Sequence, residues 1–509
     1  MWQAASSTAI LISFTIRARR MGSRAVLKRG VFSHPSDSPS ARGGWGLEEF
    51  RTNPRSCKQL HDGLRAKPAP RTMSESGDIR CKSVTIPFLG GFQNSICELN
   101  NATQKNKQRD ETVVQLNEDK AIRRVMDLIG ISGGSCREQD VSAWIQKAMK
   151  DAGVPASAIS IDTAHKKSPA GGTTGNLIVK LKGTVKKPRR LLMAHMDTVP
   201  LCDGCQPVRE GDWIRPKSKD TALGGDNRAG CAVVLTAILE TLSQGLDYPP
   251  LTLLFTVQEE TGLRGARYLN AGKLGKPELC FNWDGRDPNS LITGAVGANN
   301  LSIRIEGIAS HAGAHPEDGV NAAVVASIAI AQLQKTGWHG LVRKGKSRGS
   351  SNLGIVHGGD ATNVVMPLVK IQAEARSHDS KFRQQIVAAW RDAFETAIKS
   401  VSNASGECST LKFEEDVRYE AFRIDDRSEC VMVAKSASES VGLKPVPQVC
   451  DGGLDANWMA LHGYPAVTMG CGQHEIHTVK ERLFIPEYLA ACKVGLTLAT
   501  GSKTPRGHG

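Results

Sequence analysis

The stretch RLLMAH at residues 190–195 is an apolar run of strand length that ends on a histidine and leads into MDTVP. Two further runs of the same kind follow, LTLLFTV at 251–257 and LCFNW at 279–283, with a stretch of helical spacing at 227–243 between the first two. Strands that are apolar throughout are buried on both faces, so strand, helix and strand repeated in this order predict a parallel sheet covered on each side by helices. The fold class is therefore α/β, built on a large mixed, mostly parallel sheet. Upstream, apolar residues recur at helical spacing over 117–130 and 136–153, each run closing near a glycine suited to a C-cap. Folding is expected to begin near Asn117.

From Asn300 the pattern changes. A strand at 301–305, a helix at 321–335, strands near 352–356 and 369–375, a helix at 382–400 and a strand near 410–413 give the order β-α-β-β-α-β. That order predicts a smaller, ferredoxin-like α+β domain. Beyond about Arg418 the first pattern resumes with a helix at 428–441 and a strand at 466–470. Residues 117–296 and 418–500 are thus expected to form one large domain, interrupted by a second at 297–417.

A chain of 509 residues exceeds what one hydrophobic core usually serves, in keeping with two domains and additional unfolded material. With 40% hydrophobic and 23% charged residues, the composition excludes fibrous and disordered classes. The net charge of +14 raises the question of a nucleic-acid partner. Residues 1–80 hold 14 Lys/Arg against 6 Asp/Glu, which leaves +6 for all the rest, so the basic excess is largely a property of the tail and no nucleic-acid partner is expected. No apolar run is long enough to span a bilayer, and no membrane partner is expected.

The first acidic residue is Asp37, and Arg17, Arg19, Arg20, Arg24 and Arg29 precede it among serines and small apolar residues. Residues 1–80 read as an extension, either an organellar presequence or leader material before a later start such as Met73. The thirteen cysteines are odd in number and scattered, which points to a reducing compartment, cytoplasmic unless residues 1–72 direct the chain to an organelle. Cys202 and Cys205 form the only C-x-x-C and read as ordinary loop cysteines.

Acidic and histidine-bearing motifs fall at the carboxyl ends of the expected strands, where open α/β sheets place their ligand sites. In AHMDTV, His195 and Asp197 lie two apart, so on extended chain both side chains project from one face, one to bind a metal and the other to orient it. In GGDNRAG, Asp226 follows two glycines and has two readings, a carboxylate bridging two cations or a helix N-cap. In TVQEETG, Glu259 and Glu260 end a buried strand; one serves as ligand and one as general base, unless the pair is simply exposed. NWDG places Asp284 at another strand end, and HEIHT offers His474 and His477, of which one is expected to ligate because the preceding GCG indicates a loop. Two histidines and three carboxylates suffice for two zinc-like ions with one shared ligand.

These motifs, in this order and spacing, resemble the cocatalytic zinc exopeptidases that include peptidase T, glutamate carboxypeptidase and aminoacylase, over residues 117–500. The resemblance implies two zinc ions per subunit, one held by His195 and Asp284, the other by Glu260 and His477, with Asp226 bridging. It implies Asp197 as the orienter of His195 and Glu259 as the base that activates a metal-bridging water. The inserted domain resembles the family's lid and dimerisation domain, which implies a homodimer. Its SHAG motif implies His311 as an extra oxyanion donor supplied across a dimer interface. Asn363 and Arg376 resemble a pair that grips a substrate carboxylate, where a lid-surface salt bridge is the other reading of Arg376. Asp455 and Asn457 in GGLDANW lie near such a site, with Leu454 where relatives carry a small polar residue. The WDG motif favours an aminopeptidase acting on short peptides such as tripeptides. The alternatives are an amidohydrolase that deacylates N-acyl amino acids and, in another class, a catalytically inactive metal-binding or interaction protein. Intact Glu259 speaks against the last.

Overall fold

The computed structural model describes residues 115–501, and the basic extension lies outside them. Its largest sheet has nine strands, running in order Ile159–Ile161, Leu177–Leu181, Leu251–Thr256, Arg190–His195, Leu279–Gly285, Ala466–Gly470, Ser290–Ala295 and Phe422–Arg423, with Val446–Cys450 paired alongside Ser290–Ala295. The four central strands, from 251–256 to 466–470, run parallel, and the strands at 177–181 and 290–295 flank them antiparallel. From Arg190–His195 the chain crosses through helix Gly225–Ser243 to the neighbour on one side, then reaches Leu279–Gly285 on the other. The winding therefore changes direction at the strand that ends in His195, and a crevice opens beyond its carboxyl end.

Burial on both faces follows from the absence of alternation in these strands. Leu192, Ala194, Phe255, Phe281 and Trp283 pack into a core shared with helices Glu118–Ile129, Gly225–Ser243 and Ile485–Thr500. Leu191, Met193, Leu254 and Cys280 point the other way, onto Leu269, Ala456 and Met459. Among the described residues, no helix is long and apolar enough to cross a membrane.

The helices start and stop where the sequence marks them. Asn117 accepts from the Lys120 amide at 3.0 Å to begin Glu118–Ile129, and Asp379 accepts from the Lys381 amide at 2.8 Å to begin Ser380–Lys399. Helix Gln139–Asp151 ends just before Gly153, whose φ of 86° favours glycine.

A second, antiparallel sheet has the order Gly340–Lys344, Ser347–Gly358, Leu368–Ser377, Gly297–Glu306 and Thr410–Tyr419. Helices Ala322–Lys335 and Ser380–Lys399 pack on it through a core of its own, around Ile303, Ile305, Ile371, Phe382, Trp390 and Phe394. This is the ferredoxin-like arrangement with one added strand at 340–344, a polar hairpin arm that apolar periodicity does not reveal. The chain passes between the two sheets at Gly297 and again at 419–422. Asn457 holds both passages, donating to the Val296 carbonyl at 2.9 Å and the Glu420 carbonyl at 2.7 Å. The buried Arg383 braces the same place through Glu420, at 2.8 and 2.9 Å, and a Cβ at Gly297 would collide with its guanidinium.

A third, four-stranded sheet (Gln473–His474, Arg482–Phe484, Trp213–Pro216, Pro207–Glu210) was not foreseen. Its strands are too short to show a period. It carries the loop on which His477 sits.

Candidate active site

All six residues expected at the metal centre and its base converge beyond the carboxyl ends of the four parallel strands. His195 ends its strand with only 2% of its side chain exposed, and its Nε2 lies 3.2 Å from Asp226 Oδ1, 3.4 Å from Asp284 Oδ1 and 4.0 Å from Glu259 Oε2. The other oxygen of Asp226, Oδ2, lies 3.3 Å from His477 Nε2, which in turn is 3.0 Å from Glu260 Oε1. Asp226 thus faces one histidine with each oxygen. The N-cap reading of Asp226 is not what the structure holds: its carboxylate faces the two histidines, and the cap is made by Asn227, whose Oδ1 accepts from the Gly230 amide at 3.0 Å. A cis peptide joins Asp226 to Asn227, and Asn227 Nδ2 donates to the Trp283 carbonyl at 2.6 Å, tying this loop to the strand end that carries Asp284.

Adjacent glutamates serve different positions because the strand stops before them. Leu251–Thr256 ends, and Gln258 takes a left-handed φ of 57°, fixed by its own side chain, which accepts from Ser168 Oγ at 2.6 Å and donates to the Gly171 carbonyl at 2.6 Å. Past this bend, Glu259 turns toward His195 and Glu260 toward His477. Asp197 secures the bend: its fully buried carboxylate accepts the amides of Glu259 and Glu260 at 3.0 and 3.2 Å and Ser135 Oγ at 2.6 Å. It also lies 3.4 Å from His195 Nδ1, the nitrogen that faces away from Asp226. One aspartate therefore aligns a histidine and both glutamates.

Three supporting residues escaped the sequence reading. Ser135 buttresses Asp197, as above. Glu138 is buried and accepts the Cys136 and Gln258 amides at 2.9 and 3.0 Å. Glu481 accepts the amides of Gly224 and Asp226 at 2.8 and 3.0 Å, gripping the loop that carries Asp226. Glu481 stands four residues after His477, and that proximity is the one signal that could have found it; Ser135 and Glu138 look like ordinary loop polar residues. His474, the other member of the HEIHT pair, turns away to Glu487 at 2.8 Å.

So dense a cluster strains the ordinary ionisation of its members. Burial lifts the Glu259 carboxyl well above the usual range against the pull of His195, with Asp284 and Glu260 adding to the rise. Burial likewise pushes Asp284 up to about 7, although His195 opposes it. Burial acts upward on Asp226 too, yet the bonds to His195 and His477 prevail and hold it below the usual carboxylate range. Bonding to Asp226 and Glu260 lifts His477 to about 10. Four carboxylates and two imidazoles gathered without a lysine or arginine between them form a donor set suited to divalent cations. Donor atoms of His195, Asp226 and Glu260 lie within 4.8 Å of one another, as do those of His195, Glu259 and Asp284.

The centre forms the floor of a cavity of about 860 Å³ whose walls include Arg286, Ile292, Arg376, Arg418, Tyr419 and Leu454. Arg376 reaches this cleft from the second sheet, and its Nε and Nη2 grip Glu374 at 3.0 and 2.9 Å, so the salt-bridge reading and the cleft position hold together. His311 and Asn363 are not brought to the cavity. Both are exposed and adjacent to each other, with the Ala312 amide donating to the Asn363 carbonyl at 3.0 Å. Asp455 lies buried beneath the floor, hydrogen-bonded to Thr256, and burial pushes it up to about 6.

Fold and site together define a hydrolase centre of the two-metal kind on an open α/β sheet. The sequence profile of peptidase family M20/M25/M40 matches residues 191–500, and the chain belongs to this family of metallopeptidase hydrolases. YqjE of Bacillus subtilis, itself described as uncharacterised, is 28% identical over 380 residues, covering 74% of this chain and 97% of its own. Among solved structures, aminopeptidase PepT from Bacillus cereus superposes with a TM-score of 0.66 at 29% identity, covering 76% of this chain and 98% of its own. A tripeptidase from Staphylococcus aureus superposes with a TM-score of 0.68 at 27% identity, covering 76% and 99%.

Proposed function

We propose that this chain is a two-zinc exopeptidase of the tripeptide aminopeptidase kind, hydrolysing short peptides. The observation that carries this reading is Asp226, which offers one oxygen to His195 and the other to His477 at 3.2 and 3.3 Å while Glu259 stands beside it. One zinc is assigned to His195 and Asp284, the other to Glu260 and His477, with Asp226 shared. When bound, the two ions polarise the scissile carbonyl and stabilise the charge that develops on its oxygen.

The protein's own groups handle position and protons. Glu259, whose buried carboxyl has a raised proton affinity, takes the proton of the attacking water and returns it to the leaving amine as the carbon–nitrogen bond breaks. Asp197 keeps His195 and the two glutamates in register throughout. A cleft of about 860 Å³ has room for a short peptide.

His311 and Asn363, exposed together on the second sheet's loops, are assigned to the active site of a second copy as oxyanion donor and substrate contact. A homodimer through this lid is supported by the apolar surface there: Val324, Ile328, Ile355 and Val356 are 46%, 38%, 59% and 52% exposed. The deciding experiment compares purified zinc-loaded protein on a tripeptide with a free N-terminus and on an N-acetyl amino acid. Faster cleavage of the tripeptide is expected. Preference for the N-acetyl amino acid would replace this reading with a deacylase.

A further inference from the structure

One face of the second sheet meets its two helices, and odd-numbered residues of the strand Thr410–Tyr419 turn that way: Leu411 and Phe413 pack against the core there. Successive residues of a regular strand point to opposite sides, so Tyr419 would follow them. The register prevents it. In the pairing with Gly297–Glu306, Val417 faces Asn299 and Tyr419 faces Ala298, so Arg418 is the extra residue of a β-bulge and the alternation reverses. Arg376 faces the same Ala298 from the strand on its other side. Residues opposite one another share a face, so Arg376, Ala298 and Tyr419 form one row across three strands. The two outer members, about 10 Å apart along that row, both line the cleft.

The ring of Tyr419 fills the seam between this sheet and the large domain. It is 6% exposed and packs with Ala298 and with Leu263, in the turn that follows Glu259 and Glu260. Gly453 gives it room on the other side, since a Cβ there would collide with its Cζ and its hydroxyl. A phenol seated so deeply ordinarily finds a hydrogen-bond partner. This hydroxyl has none among the described residues, and it opens on the cleft. Burial raises its proton affinity against the pull of Arg376, with Glu259 adding to the rise, so it meets whatever enters the cleft as a neutral donor.

The scissile group is served by the metal centre and Glu259. A peptide longer than two residues brings a second peptide group into the cleft, and its carbonyl loses water at a cost in affinity unless a donor takes the water's place. Tyr419 is such a donor, packed against the segment that bears the base. We propose that Tyr419 is a specificity-determining residue whose hydroxyl donates to the carbonyl of the substrate's second peptide bond. The proposal rests on the peptidase reading and deepens it, since it gives the chain a means of recognising peptide backbone beyond the bond it cuts.

The test compares metal-loaded full-length wild type and Y419F on a tripeptide and on its analogue with a trans carbon–carbon double bond in place of the second peptide bond. The analogue keeps the scissile bond, the length and both charged ends, and removes the acceptor. The wild type is expected to favour the tripeptide in kcat/KM by about 10-fold. Y419F is expected to lose that factor on the tripeptide, mainly through KM, and to cleave the analogue as the wild type does. A role in packing alone, or at the scissile group, would slow both substrates alike, and that result overturns the assignment. A wild type that shows no preference overturns it too, as does a preference that Y419F retains. A wild type that cleaves neither peptide overturns the peptidase reading and this proposal with it.

Discussion

The two histidines that face Asp226 are held in opposite ways. His195 belongs to a central strand, has 2% of its side chain exposed, and is backed by Asp197, which the Ser135, Glu259 and Glu260 donors hold in turn. His477 belongs to a loop, has 47% of its side chain exposed, and takes a left-handed φ of 63° that a histidine adopts at some cost. One half of the centre is built by the sheet before any ion arrives; the other is completed by a loop that must hold its shape. The two metal positions should therefore differ in affinity, the His195 side being the tighter.

The largest expected effect breaks this comparison outright. His195→Ala should weaken the tight position by well over about 100-fold, the upper end of what an orienting residue costs, whereas His477→Ala should leave one equivalent bound. Metal analysis after dialysis against a weak chelator measures both, and equal retention by the two variants would show that the asymmetry is not real.

Acid should sharpen it. His477, lifted to about 10 in the metal-free protein, and Asp284, lifted to about 7, must give up protons to bind a cation, so affinity rises with pH and falls as pH drops. At the His477 position the one proton displaced makes this roughly a hundredfold between pH 8 and 6, and at the other position the protonation of Asp284 contributes roughly tenfold over the same range. Competition titration with a coloured chelator gives this slope, and a flat profile would contradict it.

Asp197→Asn should cost about 10- to 100-fold in metal affinity or turnover, since it keeps the shape and removes the charge that aligns His195. The smallest effect lies away from the metals. Asn457→Ala leaves the buried Val296 carbonyl and the part-buried Glu420 carbonyl without their donor and should lower stability by about 1–3 kcal/mol, read from the urea midpoint.

The same contrast governs what could be read in advance. Strands buried on both faces are written as unbroken apolar runs, and their ends are where ligands belong, so His195, Glu259, Glu260 and Asp284 stood out at once. The sheet at 207–216 and 473–484 has strands of two to four residues, too short for a period, so the frame around His477 stayed hidden. Ser135, Glu138 and Glu481 act through backbone amides that fold into reach only in three dimensions. The bulge at Arg418 depends on the partner strand's register, which no local pattern encodes.

Metal content and turnover, measured side by side in wild type, Glu259→Gln and Asp226→Ala, put the bridging carboxylate and the base to the most direct trial. Glu259→Gln should keep both equivalents of metal while turnover falls by about 100- to 10,000-fold, and Asp226→Ala should lose metal and turnover together. Equal metal content in the two variants, whether both full or both depleted, would contradict the division of roles.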